Sequence, residues 1–356
     1  GMKTALILLA NAAYANSPQE LRADWTAGHD GYICEPQGHY HVELCPSKAG
    51  ALDLLLGWAE ERLRAFADTG LDYLCLWPYD QGGCTCAACA PWGVNGYLRC
   101  AEPLARLYKE IYPAGKVILS TWYFDHFTSG EWRGLAARLK PKPDWVDLLL
   151  ADDYGDRYPP FLARNGAPGG LPVVGFPEIS MYRCLPWGGY GANPLPEHFQ
   201  ALWTQCAGLV AGGFPYSEGI FEDVNKALMA QFYWNPARQA KETLSEYLRY
   251  EFGADTVEAL GEVTAILERN LPRQVEGGPP RSGEGKRVAA ESLRGAGAAW
   301  ELVQKVDRAM NAERRGLWRW RLFLRRAQID AELERNGGEL SGDALREAFA
   351  EVTRIS

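Results

Sequence analysis

Residues 71–93 read LDYLCLWPYDQGGCTCAACAPWG, and this stretch decides the fold. The apolar run from Tyr73 to Trp77 stops at Pro78 and gives way to Asp80, two glycines and three close cysteines. A short apolar run bounded by Pro and Gly, with helical patterns on both sides, reads as a buried strand. A carboxylate just past the end of such a strand lies where α/β enzymes keep their chemistry.

The same unit recurs outward from it. Strands are expected at 3–10, 72–77, 116–122, 145–151, 172–176 and 213–217. Helices are expected between them, one of them N-capped by Ser47 and running to Gly70, others near 98–111, 130–139 and 196–209. Strands alternating with helices imply a parallel sheet with right-handed crossovers. Six strands fall short of the eight of a closed (β/α)8 barrel, so the expectation is an α/β TIM-type barrel, incomplete at its N-terminus. GHYHVEL at 38–44 alternates like a hairpin strand rather than a barrel stave.

Beyond Trp234 the spacing is helical throughout, at 237–252, 255–270, 287–311, 312–336 and 342–355, with a Gly/Pro/charge linker at 274–286. The expected division is a barrel over 1–235 and a helical C-terminal domain over 236–356. WRWRLFLRR at 318–326 is basic and aromatic, but helical spacing puts Trp318, Leu322 and Phe323 on one stripe and the arginines on a solvated side.

Charge and hydropathy narrow the function classes. Lys and Arg number 37 against 45 Asp and Glu, a net charge of −8, which gives no electrostatic reason for a nucleic-acid partner. MKTALILLANAAYANS at 2–17 mimics a secretory signal, but its apolar stretch is short and broken by Asn11, so it reads as a strand. No segment approaches the roughly 20 apolar residues of a membrane span. Nine cysteines without a regular disulfide framework suggest reduced thiols or a metal site, hence a cytoplasmic protein. The open edge of an incomplete barrel needs cover, which a homodimer could give.

Five of the six predicted strands deliver carboxylates at their C-terminal ends: Asp80, Asp125, the pair Asp152 and Asp153, Glu178 and Glu218. In a parallel barrel those ends share one rim. With Trp77, Tyr79, Gln81, Trp122, Tyr123, Tyr182, Trp187 and Tyr216 beside them, the carboxylates suit a carbohydrate substrate. One acid protonates a leaving oxygen, another acts as nucleophile or base, and flat rings stack on the sugar. The competing reading is that an Asp after a strand only caps a helix or starts a turn.

Cys84, Cys86 and Cys89 form CxCxxC, which could hold a structural zinc with Cys100, Cys45, Cys34 or a His as fourth ligand. Packed free thiols are the alternative, and no cofactor is required by the chemistry above. A zinc-dependent hydrolase built on these cysteines is a third functional class. His39 and His41 alternate on one face, as a metal pair or a solvated loop pair.

Three segments, LDYLCLWPYDQGGC (71–84), TWYFD (121–125) and the run from YSEG at 216 to YEFG at 253, resemble bacterial glycoside hydrolases of the TIM-barrel superfamily related to β-hexosaminidases and α-glucuronidases. The similarity spans roughly residues 1–255. It implies a glycoside hydrolase without choosing its acid; Asp80 is the expected acid, with Glu178 or Glu218 as the second carboxylate or as the alternative acid. Hexosaminidases of this kind carry an Asp-Glu pair here, whereas this chain has Asp80-Gln81, and an amide cannot donate a proton as a carboxylic acid does. A catalytically inactive carbohydrate-binding protein on the same fold is therefore the alternative.

Overall fold

The computed structural model describes residues 2–11, 17–23, 43–79, 83–126, 128–152, 158–177, 179, 193–217, 223–270, 288 and 290–355. The chain forms two compact units, Gly1–Phe176 with Gly208–Phe214, and Pro177–Ala207 with Pro215–Ser356.

The first unit is an α/β layer. Its strands are β1 (Ala5–Leu9), β2 (Tyr73–Trp77), β3 (Lys116–Ser120), β4 (Leu148–Asp152), β5 (Val173–Phe176) and β6 (Gly212–Gly213). All pairings are parallel, and the sheet order is β1-β2-β3-β4-β5-β6. Sequential order with one crossover hand keeps the connecting helices on one face, as in a TIM-type fold; a doubly wound sheet reverses order at a switch point. Among the described residues β1 pairs only with β2, and β6 only with β5.

The strands form where they do because a parallel sheet covered on its faces must be apolar on both. Leu74, Leu76, Val117, Leu119, Leu149 and Ala151 are all fully buried. Ile7 on β1 is 56% exposed, as suits an edge strand. The connecting helices are α1 (Ala51–Ala65), α2 (Gly96–Ile111), α3 (Glu131–Arg138) and α4 (Pro160–Asn165). On α2, Tyr97 is buried and its hydroxyl donates toward Leu76 O (2.7 Å) and Ser120 O (2.9 Å). One proton shared by two carbonyls thereby ties the C-terminal ends of β2 and β3 together.

Two local expectations need correction. Helix α1 starts after Gly50 (φ 81°), not at Ser47. The Ser47 hydroxyl lies 2.9 Å from Cys45 Sγ and 3.5 Å from Cys86 Sγ, so sulfur rather than a helix end takes it. The last ladder covers only Gly212–Gly213; Tyr216 makes its own pairing, donating its N–H to Pro177 O (2.9 Å) and accepting from Ile179 N (2.8 Å). Of the proposed hairpin strand at 38–44, only the end is described, and there Leu44 bridges Arg22 antiparallel.

The second unit is helical: α5 (Pro196–Cys206), α6 (Asp223–Trp234), α7 (Ala240–Phe252), α8 (Val257–Arg269), α9 (Ala296–Ala309), α10 (Ala312–Gly316), α11 (Trp318–Arg335) and α12 (Asp343–Ile355). Helix α11 packs against both α9 and α12. The expected helix at 312–336 is broken at Leu317, whose extended backbone (ψ 135°) separates α10 from α11. The arginines of α11 are not a solvated face. Arg319 pairs with Asp223, Arg321 and Arg325 share Glu351, and Arg326 lies buried 3.4 Å from Asp330. Trp320, not Trp318, is the fully buried tryptophan, because neighbours on two sides cover more of the helix than one stripe. The predicted linker at 274–286 lies outside the described residues.

Tyr97→Phe should leave Leu76 O and Ser120 O without their donor and lower the unfolding free energy by about 1–2 kcal/mol. Urea unfolding with an unchanged m-value would register this; a variant as stable as the parent would show that the shared bond contributes nothing.

Candidate functional site

The strand ends are organised by two buried polar side chains. The first is Asn11, just past β1 and fully buried. Its amide nitrogen donates to Leu44 O (2.8 Å) and Gly83 O (2.9 Å), and its oxygen accepts from Gly83 N (3.0 Å). The second is Glu131, the first residue of α3, also fully buried. Its Oε1 accepts from the Tyr79 hydroxyl and from Gly93 N (2.6 Å), and its Oε2 accepts from Asp125 N (3.0 Å). Asp125 answers by accepting Glu131 N at 2.6 Å. One carboxylate thus joins the loops after β2 and after β3. A side chain on Gly93 would meet Glu131 Oε1 at 2.7 Å, so this approach requires glycine.

The loop after β3 is bent to make this junction. Tyr123 and Asp125 have φ of 59° and 61°, the left-handed region that non-glycine residues occupy at a cost of roughly 1–2 kcal/mol each. Bonds from Phe124 N to Thr121 O (3.0 Å) and from His126 N to Tyr123 O (3.1 Å), with the Glu131 bonds, hold the turn. Strain retained by such over-determination is typical of functional sites.

Burial pushes the Glu131 carboxyl up from 4.5 to about 7, while its three donors pull the other way. The charge of the Asp125 carboxylate adds a further upward push.

The aromatic residues expected at the rim divide into two groups. Trp77 and Trp122 pack on each other (centroids 5.4 Å) and on Phe176 (5.1 and 5.3 Å), all three less than 9% exposed. They form a lid of rings at the ends of β2, β3 and β5. Tyr79 is buried on Glu131. Tyr123, tilted on Trp122 at 4.6 Å, instead lines an open cleft of about 900 Å³ with Asp125, His126, Trp132, Phe161 and Arg164. Trp132 and Phe161 stack there, 12° from parallel. A concave surface mixing flat rings with a few polar groups is the ordinary form of a small-ligand site.

Asp152 ends β4. Tyr216 pairs with Pro177 and Ile179, the neighbours in sequence of Glu178. Asp80, Gln81, Asp153, Glu178, Tyr182, Trp187 and Glu218 lie outside the described residues, as do His39, His41 and Cys34. The structure does bring together Cys84, Cys86 and Cys89 and adds Cys45, with all four Sγ atoms within 4.8 Å of one another. Cys100 is buried on α2 and is not among them.

Sequence reading missed both organising residues. Asn11 registers there only as a flaw in an apolar run, although it marks the one predicted strand end without a carboxylate. Glu131 looks like an ordinary acidic residue in a first helical turn, and only the meeting of the loops after β2 and β3 gives it its role.

No protein-family model matches the chain, and no curated protein matches it in sequence. Among solved structures it is similar to BtGH115A, described as a family GH115 4-O-methyl-α-glucuronidase with specificity for decorated arabinogalactans. The TM-score is 0.59 at 13% identity, over 85% of this chain and 44% of that one. It also aligns with CpGH84B at 9% identity over 84% of this chain and 70% of that one, but with a TM-score of only 0.23. The likeness to the GH115 enzyme is one of fold alone. It spans less than half the length of the glucuronidase. Among the described residues no helix is long and apolar enough to cross a membrane.

The raised Glu131 carboxyl makes a pH prediction. A folded-state value above the unfolded one means the native chain binds the extra proton, so this group's contribution is fully present below about 4.5 and is lost as pH rises through about 7. The stability of the parent relative to Glu131→Gln should therefore fall across that window, by at most about 3 kcal/mol. Urea unfolding of both proteins at intervals from pH 4.5 to 7.5 measures it; a constant difference would show that Glu131 titrates normally.

Proposed function

We propose that the chain is a glycoside hydrolase cleaving an oligosaccharide or glycoside by carboxylate general acid/base catalysis at the strand ends. The observation that carries this reading is the fold likeness to the GH115 enzyme over 85% of the chain, at a TM-score of 0.59. It is supported by the sequential parallel sheet, whose strands β2, β5 and β6 are followed in the chain by Asp80, Glu178 and Glu218. It is supported as well by the cleft holding Tyr123 and Asp125.

In this reading Asp80 protonates the departing glycosidic oxygen. Glu178 or Glu218 attacks the anomeric carbon or deprotonates a water that does so. A separation near 5–5.5 Å between the two working carboxyls would mean retention of configuration, and about 6.5–9.5 Å inversion. Tyr123 offers a ring to a sugar face. Trp77, Trp122 and Tyr79 act from behind, fixing the loops rather than exposing their own surfaces.

A second reading, binding without turnover, is favoured by Gln81, which stands where hexosaminidases of the resembling group carry their acid. Hydrolysis of an aryl glycoside panel, α-glucuronides included, separates the two. For the hydrolase, Asp80→Asn should lower kcat by about 100-fold or more, and so should one of Glu178→Gln and Glu218→Gln, since proton transfer by a placed side chain contributes roughly 10²–10⁴. Variants as fast as the parent would overturn the assignment. Sugar binding by calorimetry with no hydrolysis of any panel member would establish the second reading.

A further inference from the structure

We propose that Cys45, Cys84, Cys86 and Cys89 form a tetrahedral four-thiolate zinc site that staples the loop after β2 to the segment entering α1. The site lies outside the hydrolytic chemistry proposed above and does not depend on it.

The geometry carries this inference. Cys45 Sγ lies 3.7 Å from Cys86 Sγ and 3.9 Å from Cys89 Sγ, and the four sulfurs are mutually within 4.8 Å. Zinc–sulfur bonds of about 2.3 Å in a regular tetrahedron set sulfur–sulfur edges of about 3.8 Å. A disulfide needs about 2.05 Å, and none of the four is in one. The two edges from Cys45 thus match a mononuclear S4 centre, and the remaining sulfurs lie close enough to complete it.

Local structure supports each ligand. The segment 86–89 closes as a tight turn, with Cys89 N and Ala90 N both donating to Cys86 O (2.9 and 3.0 Å), which presents the two sulfurs on one side. Cys45 is fixed from another part of the chain by Cys45 N to Leu21 O (2.8 Å). The Ser47 hydroxyl is placed to donate to Cys45 Sγ at 2.9 Å and is 3.5 Å from Cys86 Sγ. Hydrogen bonds of this kind orient and stabilise thiolate ligands. Cys45, Cys84 and Cys89 are buried and Cys86 is partly exposed, so three of the four ligands are shielded from water.

The chemistry selects the metal and its role. Four soft thiolates in a tetrahedron suit zinc or a single iron, and a redox-inert d¹⁰ ion suits a purely structural site. Four protein ligands leave no position for water or substrate, which removes the zinc-hydrolase class raised by the CxCxxC motif. The staple parallels Asn11, which joins Leu44 to Gly83 one residue from two of the ligands. Metal and amide would together fix the part of the loop after β2 that follows Asp80-Gln81 in the chain.

The test uses the full chain, expressed with zinc in the medium and purified without chelator. Elemental analysis should give close to one zinc per chain, and the cobalt-exchanged protein should show the visible absorption of tetrahedral cobalt–thiolate. Cys45→Ser and Cys86→Ser should lose the metal, while Cys206→Ser, at a cysteine outside the cluster, retains it. If the ligand variants fail to fold, the parent itself decides: Cys86 should resist alkylation until a chelator is added, by at least about tenfold in rate, because a bound thiolate is withheld from the reagent. Metal below about 0.2 per chain after incubation with excess zinc, iron in place of zinc, or alkylation unaffected by chelator would overturn the proposal.

Discussion

A parallel sheet ends in loops that must turn while buried, and every polar group they bury has to find a partner. In the first unit that constraint is met by two side chains. Asn11 satisfies three backbone groups of Leu44 and Gly83, and Glu131 satisfies two backbone amides and the Tyr79 hydroxyl. Each unsatisfied buried group would cost about 1–3 kcal/mol, so loss of either side chain would expose several such costs at once. The shape of the strand ends follows from these bonds. The left-handed turns at Tyr123 and Asp125 persist because Glu131 and Asp125 hold each other from both ends.

Packing then builds on that frame. Trp92 donates its indole N–H to Pro78 O (2.6 Å), pinning the loop after β2 ahead of residue 80, while Asn11 pins Gly83 behind it. Trp77, Trp122 and Phe176 close over the apolar strand interior in edge-on contacts, the arrangement aromatic quadrupoles prefer. Only past this layer does Tyr123 reach the open cleft. Polar brackets, a ring layer and a wet cleft thus follow one another outward from the strand ends.

What the sequence made legible follows from the same physics. Strands such as LCLW and VILS could be read because two covered faces demand unbroken apolar runs, and these demands are local. The sequential order could be read because short crossovers leave few alternatives. Ser47 misled because its capping propensity was weighed without the sulfurs that surround it. The arginines of WRWRLFLRR misled because helical spacing reports one buried stripe, whereas α11 is packed on two sides and its cations meet acids from α6 and α12. Cys45 could be named only as one of several fourth ligands, since 39 residues separate it from Cys84 and spacing says nothing across such a gap.

Glu131 sharpens the division between holding a site and working in it. A carboxyl raised to about 7 has the value expected of a general acid at neutral pH, and pKa alone would nominate it. Its surroundings argue otherwise. Both oxygens already accept protein donors, and the side chain is fully buried, so a glycosidic oxygen cannot approach it. The upward push therefore measures the cost of burying a charge at a structural junction. An acid that protonates substrate must keep an oxygen free and face the cleft. Glu131 meets neither condition, and with Asp125 it holds the loop geometry.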